Sequence, residues 1–472
     1  MTTETQLPQG WEIKRLGDVA TSEKGKKPKN QSNEKTDEFC YPYVDIEAFE
    51  KGIIKSYTDG VKCVLCDEND FLMVWDGSRS GLVGKGIKGA LGSTLVRISL
   101  PNVKNLYAYY FLLSKYKEIN TRAKGSGTPH VDPDLLWNYA FPIPQIETQQ
   151  AIVNKIESLF AEIDAGIASL KTAQQQLKHY RQSLLKNAFN GELTKQWRLE
   201  HADRLPSATE LLAQIQTARE QHHAQQLADW QTAVKQWEQT GKQGKKPSKP
   251  KKLREFIQLT EEYLPNLPKE WCWVELSSIS SVIRIGPFGS LLHKADYINN
   301  GIPLINPSHI KNRKIIPDFQ LTVSEEKLKE LNNYIMREND IVIGRRGEMG
   351  RCAVVTSNEN GWLCGTGSMF VRPLNSMSSE FFAYIISSER VRDYLSNSSI
   401  GTTMQNLNEK ILHTVPVPLC SPQEQLEILR ILDACFTACD QLTTEIETQL
   451  KQAELLKQAV LKSAFSGNLL DK

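Results

Sequence analysis

The 472-residue sequence contains no run of about 18 consecutive apolar residues, which excludes a membrane-spanning helix. Its opening residues, Met1 to Pro8, lack the basic stretch and apolar core of an export signal, so the chain reads as soluble and cytoplasmic. An excess of one charge is also missing. With 57 Lys plus Arg against 55 Asp plus Glu, the net charge of +2 points to no polyanionic partner, and any nucleic-acid surface must come from charge placement. Nine cysteines are too sparse, and odd in number, for a disulfide framework, so reduced thiols are expected. The Cys-x-x-Cys at Cys63 and Cys66 has no second ligand pair after it, and packed thiols are expected there instead of a metal.

Catalytic signatures are equally scarce. No Gly-x4-Gly-Lys-Ser/Thr loop is there to cradle a triphosphate. Asn306-Pro307-Ser308-His309 lacks the second proline and the aromatic residue with which an amino-methyltransferase tetrad holds a flipped base. Pro317-Asp318 with Glu325 and Lys327 imitates a nuclease carboxylate set, but Ser324-Glu-Glu-Lys reads better as a capped helix start.

What is present is ordinary in composition and unusual in arrangement. Hydrophobic residues at 40% and charged residues at 24% allow packed cores, and at roughly 150 residues per domain the length favours about three domains. The chain is written twice. Leu7-Pro8-x-x-Trp11 returns as Leu267-Pro268-x-x-Trp271, Asn69-Asp70 as Asn339-Asp340, Phe141-Pro-Ile-Pro144 as Val415-Pro-Val-Pro418, and Lys186-Asn-Ala-Phe-Asn-Gly191 as Lys462-Ser-Ala-Phe-Ser-Gly467. Each copy is a globular unit followed by a helix.

The helices announce themselves by a heptad seam. In the first it runs through Ile152, Ile156, Leu159, Ile163, Gly166, Leu170, Ala173, Leu177, Tyr180 and Leu184. Transposed by the repeat offset it becomes Ile428, Leu432, Cys435, Cys439, Leu442, Ile446, Gln449, Ala453, Leu456 and Val460, with one polar break. Each helix should start after a Pro-x-Pro stop and end at Gly191 or Gly467. The matched seams favour pairing within the chain; a dimerising coiled coil between chains is the alternative.

Short β-branched and aromatic segments bounded by Gly and Asn predict strands at 70–75, 94–98, 340–343 and 368–372, and helices follow at about 105–119 and 379–395. Residues 194–266 contain a polar helical stretch and the basic run Gly241 to Lys252, read as a solvated linker rather than a binding element. Gly344-Arg345-Arg346-Gly347-Glu-Met-Gly350-Arg351 places three guanidinium groups on a turn, where they can reach phosphates or guanine edges. Its counterpart Trp75-Asp76-Gly77-Ser78-Arg79-Ser80-Gly81, with Lys85 and Lys88 beyond, aligns but differs in chemistry, as two different recognition sites require. A solvated turn is the competing reading.

The order of these stretches resembles the specificity subunit of Type I restriction-modification enzymes. Carrying the resemblance are Gly286-Pro-Phe-Gly-Ser290, the Asn339 to Gly347 strand and turn, Gly401-Thr-Thr-Met-Gln-Asn-Leu407, Pro416-x-Pro418 and Gln423-Glu-Gln425, and in the first half Trp75 to Gly81, Gly127-Thr128, Pro142-x-Pro144 and Thr148-Gln149. Gly127-Thr-Pro-His130 departs from Gly401-Thr-Thr-Met404, and the 194–266 insertion exceeds a minimal connector.

The resemblance implies an α+β chain. Two mixed α/β target-recognition domains (1–144 and 267–418) are separated by two long helical regions (145–193 and 419–472) that form an antiparallel coiled coil with pseudo-two-fold duplication. It also implies that each domain reads one half of a split asymmetric sequence in double-stranded DNA. The helices would set the spacing and bind two methyltransferase subunits, and restriction/translocase subunits would join through that core. The chain would be non-catalytic, with S-adenosylmethionine, ATP and Mg²⁺ held by the partners. A coiled-coil scaffold with protein-binding globular ends is the rival. Candidate DNA contacts are Lys26, Lys27, Ser78, Arg79, Lys85, Thr128 and His130 in the first copy, and Ser290, His309, Arg345, Arg346, Arg351, Thr402 and Gln405 in the second.

Overall fold

A computed structural model describes residues 7–125, 127–259, 264–398 and 407–470. They fall into two compact units, residues 1–174 with 444–472 and residues 175–443. The repeat seen in the sequence extends to individual strands.

In the first unit Glu12–Arg15 pairs antiparallel with Ala140–Ile143. A four-stranded antiparallel sheet follows the order Thr21–Lys24, Leu95–Ser99, Phe71–Val74, Val83–Lys85. A second sheet holds Tyr41–Val44 parallel to Gly89–Leu91, flanked by Tyr57–Thr58. The second unit repeats each element. Cys272–Glu275 pairs with Pro416–Leu419, and the four-stranded order is Ser280–Ile285, Ser368–Pro373, Ile341–Gly344, Cys352–Val354. Ile302–Ile305 lies parallel to Leu363–Cys364, flanked by Thr322–Val323. Both central strands, Phe71–Val74 and Ile341–Gly344, are buried at every residue, which is why they read as continuous apolar runs without alternation.

Each sheet is covered by the helix expected after it, Asn105–Thr121 in the first unit. In the second the single helix expected at 379–395 is two, Ser379–Ile386 and Glu389–Ser398. The long helices are Ile146–Phe189 and Pro422–Phe465, each ending two residues before a left-handed glycine, Gly191 at φ +80° and Gly467 at φ +83°. A side chain at this position would meet a neighbouring proline: Pro268 at Gly191, Pro8 at Gly467. The heads of the helices are tied down by a repeated buried glutamine. Gln149 accepts from the Lys104 N–H (2.9 Å) and donates to the Pro144 carbonyl (2.9 Å). Gln425 does the same between Ser378 (3.3 Å) and Cys420 (3.0 Å).

The two long helices pair antiparallel. Lys457 meets Asp164 in the first unit and Arg181 meets Asp440 in the second, so the first helix advances by as many residues as the second retreats. Of the expected seam, Ile152, Ile156, Leu184, Ile428, Leu432, Cys439, Ile446 and Val460 are buried, and Leu159, Ile163, Leu170, Ala173, Leu177, Cys435 and Ala453 half-buried. Four positions need correction. Leu442 (52% exposed) and Leu456 (53%) face outward, as do Gly166 and Gln449; Tyr180, nearly half exposed, lies at the edge. The inward positions are Ile167, Thr443, Leu450 and the stem of Lys457, one residue later in each case. Neighbouring positions on a helix point about 100° apart, and a strict alternation of four- and three-residue steps picks the wrong neighbour at equivalent places in both helices, Gly166 with Leu442 and Tyr180 with Leu456.

The 194–266 insertion also differs from a free linker. Helix Ala208–Gln239 begins with a capping box at Ser207 and Glu210 and buries Leu211 and Ile215 in the core of the second unit. The chain then doubles back along it, and Gln258–Leu259 adds a third strand beside Cys272–Glu275.

Candidate nucleic-acid interface

At one end of each four-stranded sheet loops converge, and backbone hydrogen bonds among the described residues fix them. In the first unit the chain leaves Thr21–Lys24 at Gly25, where a Cβ would come within 2.2 Å of the Gly92 carbonyl oxygen. Only glycine permits so close a crossing. Trp75 donates its N–H to Thr94 (2.8 Å) and accepts from Val131 (2.9 Å), and the Gly77 N–H reaches the Pro129 carbonyl (2.7 Å). Residues 24–26, 75–77 and 129–131 thereby come together around the 91–95 turn. In the second unit Gly286 crosses Gly365 even more closely, at 2.0 Å for a built Cβ. Arg345 donates to Gly367 (3.0 Å) and accepts from Leu407 (3.1 Å), so Arg345 occupies the place of Trp75.

In the first unit's cluster Lys26 and Lys27 are exposed, and among the described residues neither has a carboxylate partner. Ser78 and Thr128 are exposed and His130 is half-buried. Arg79 is exposed but ion-paired with Glu50, and two lysines that sequence reasoning missed are paired as well: Lys24 with Asp76 (2.6 Å) and Lys124 with Asp132 (2.8 Å). Lys85 does not belong here. It pairs in register with Phe71 at the opposite end of the strand, where it lines a cavity of about 660 Å³ with Glu68 and Asp70. Its sequence proximity to Gly81 is undone by the strand Val83–Lys85 running away from the loop.

In the second unit two candidates are corrected. Arg345 is 7% exposed, and its guanidinium donates to the Leu407 and Thr366 carbonyls at 3.0 and 3.3 Å. Burial, with Arg346 alongside, pulls its proton affinity down. It anchors the loops instead of facing solvent. His309 is 6% exposed, with Nδ1 3.0 Å from the Leu304 carbonyl, and Asn306 accepts from the Gly367 N–H. The Asn306 and His309 side chains of this turn thus bond to backbone groups of the fold, while Ser308 is exposed. Arg351 is half-buried between the Pro307 carbonyl and Glu348. Arg346 and Ser290 are exposed, and so are Phe288 (58%) and Leu291 (43%) on the Gly286 loop, which sequence reasoning passed over. Aligning Gly25 with Gly286 would have found them, because their loop replaces Lys26 and Lys27. Thr402 and Gln405 lie outside the described residues.

Elsewhere, Cys66 donates to the Ile87 carbonyl at 3.0 Å, and burial pushes its thiol up to about 11. Ser324 caps helix Glu325–Glu330, and Lys327 lies 3.4 Å from Asp296.

Two sheets of one design, each ending in a differently furnished loop cluster and each continued by a long helix, define a duplicated recognition scaffold. The family described as Type I restriction modification DNA specificity domain matches residues 8–172 and 268–452, and the chain belongs to it: it is a Type I restriction-modification specificity subunit. It is 22% identical over 98% of its length to the MjaVIII specificity subunit of Methanocaldococcus jannaschii, covering 94% of that protein. It is 23% identical over 98% of its length to the EcoDI specificity subunit of Escherichia coli, covering 90% of that chain. The fold is also that of a chain from a solved type I R-M system (TM-score 0.65, 18% identity, 98% of this chain and 100% of that one). The HsdS subunit of Thermoanaerobacter tengcongensis is similar too (TM-score 0.51, 18% identity, 99% and 100% covered). No helix among the described residues is long and apolar enough to cross a membrane.

Proposed function

We propose that this specificity subunit binds double-stranded DNA through its two loop clusters, each reading one part of a split, asymmetric target. The observation that carries this reading is the pairing of frameworks matched strand for strand with tips that differ in chemistry, lysines on one and Phe288 with Arg346 on the other. Lysines suit phosphates; an exposed arginine reaches guanine O6 and N7, and an aromatic side chain meets a thymine methyl or a base step. The long helices set the distance between the half-sites and bind two methyltransferase subunits, through which restriction/translocase subunits attach. The chain contributes no reaction of its own; S-adenosylmethionine, ATP and Mg²⁺ enter with those partners. These assemblies act in the cytoplasm.

A fragment of residues 1–198 tests this. Its helix keeps Ala188, Phe189 and Gly191, the counterparts of Ala464, Phe465 and Gly467, which pack on the first unit's core and against Pro8. Two fragments should therefore pair antiparallel, each helix end completing the other's domain. Analytical ultracentrifugation should find a dimer. Methylation mapping with methyltransferase subunits present should find an interrupted palindrome of the first half-site. A folded monomer, or a non-palindromic target, contradicts the reading.

A further inference from the structure

The inserted arm has a surface that the two loop clusters do not account for. Between Lys242 and Arg254 the chain carries six lysines and one arginine and no acidic residue. The run is held in place as an extended strap along helix Ala208–Gln239. Trp237 Nε1 donates to the Gly244 carbonyl (3.2 Å), Trp230 Nε1 to the Pro247 carbonyl (3.0 Å), and Arg219, buried beneath Phe256, to the Arg254 carbonyl (2.8 Å). Lys246 and Lys249 lie over the faces of Trp237 and Trp230 at 5.9 and 5.6 Å. All seven cations are exposed, and among the described residues none is ion-paired.

Three anchors that fix the backbone while leaving every charge outward are not what a solvated spacer needs. Seven like charges on a fixed strap repel one another, and a polyanion relieves that repulsion. From Trp237 to Arg219 the helix spans roughly 27 Å, a length of duplex bearing roughly 16 phosphate charges. A protein partner fits less well, because protein interfaces are centred on buried aromatic or aliphatic anchors, and the strap's tryptophans are already used to hold the strap.

We propose that the arm formed by residues 208–256 is a second, sequence-independent DNA-binding surface that grips the phosphate backbone outside the recognised sequence. It rests on the reading of the chain as a DNA-binding subunit but not on how the loops read bases.

The test uses the full-length chain with Lys242, Lys245, Lys251 and Lys252 all changed to Gln, leaving the tryptophan-stacked lysines and Arg254 in place. An all-Arg version at the same positions serves as the charge-preserving control, and thermal unfolding shows that both keep the fold. Binding is measured on a target-bearing duplex and on a random duplex over a range of salt concentrations. The Gln variant should bind both duplexes more weakly by the same factor, on the order of tenfold or more, with the slope of log K against log salt reduced by roughly 3 to 4. The Arg version should bind like the parent. Unchanged affinity and slope overturn the proposal in favour of a solvated strap. Weakened assembly with methyltransferase subunits at unchanged DNA affinity overturns it in favour of an acidic protein face. Failure of the parent chain to prefer its target would defeat the recognition reading alone, since the random duplex still reports on the arm.

Discussion

The two domains agree where glycine crossings and buried glutamines tie their frameworks together, and they differ in the elements and side chains set around those points. Gly25 and Gly286, or Gln149 and Gln425, hold the same bonds and contacts in both units. Yet helix Ile46–Lys51, capped by Asp45 in the first domain, gives way in the second to the turn Pro307–His309 and the hairpin Ile310–Ile315. The two central hairpin residues, Asn312 and Arg313, both have positive φ (49° and 59°), as a two-residue type I′ turn requires. The elements around the loops therefore differ while the four-stranded sheet beneath them is kept.

Among the described residues the deepest difference is a buried ion pair found in the second unit alone. Glu424 (1% exposed) accepts from Arg198, from Thr194 (2.7 Å) and from Trp271 Nε1 (2.8 Å); its counterpart in the first unit is Thr148. Arg198→Ala or Glu424→Ala should destabilise the second unit by about 3–5 kcal/mol, because a buried charge loses its closest ion-pair partner, while Thr148→Ala should cost less than about 1 kcal/mol. Denaturant unfolding followed in each unit separates the two; equal losses would mean that the asymmetry has no energetic content. Gln149→Ala and Gln425→Ala should instead behave alike, each costing about 1–3 kcal/mol by stranding buried backbone groups. A clear disparity between them would break the equivalence of the helix heads.

Trp75 and Arg345 occupy one position with two chemistries. Arg345→Ala should lower stability by about 1–3 kcal/mol. Arg346→Ala should leave stability within about 0.5 kcal/mol and weaken or relax recognition of the second half-site, by about 1–3 kcal/mol if it pairs with guanine. Binding to duplexes altered in one half-site at a time is the measurement, and an effect of Arg346→Ala on the first half-site would count against independent reading. Smallest of all, Leu442→Gln and Leu456→Gln should change the unfolding midpoint hardly at all, because both side chains lie outside the helix pair; a loss comparable to Ile446→Ala, about 2–5 kcal/mol, would restore the transposed seam.

Much of this was legible in the residues. The duplication, the central strands, the helix ends at Gly191 and Gly467 and the loops after the central strands follow from glycine, Pro-x-Pro and apolar runs, whose meaning is local. What escaped depends on partners far along the chain. Whether Arg345 faces solvent is decided by the carbonyls of Thr366 and Leu407, and Lys85 leaves the cluster because its strand runs the other way. The phase of both seams is set by the helix each one faces, and the basic run becomes a strap only because Trp230 and Trp237 lie opposite it.

The central proposal is that two independent readers are spaced by the long helices. Adding one heptad between Leu170 and Leu177, matched by one between Ile446 and Ala453, preserves the seam and lengthens the helix pair by about 10 Å, roughly three base pairs of rise. Methylation mapping of the complete system carrying this variant should return the same two half-sequences separated by a longer gap. Retention of the original gap, or loss of either half-sequence, would contradict the account.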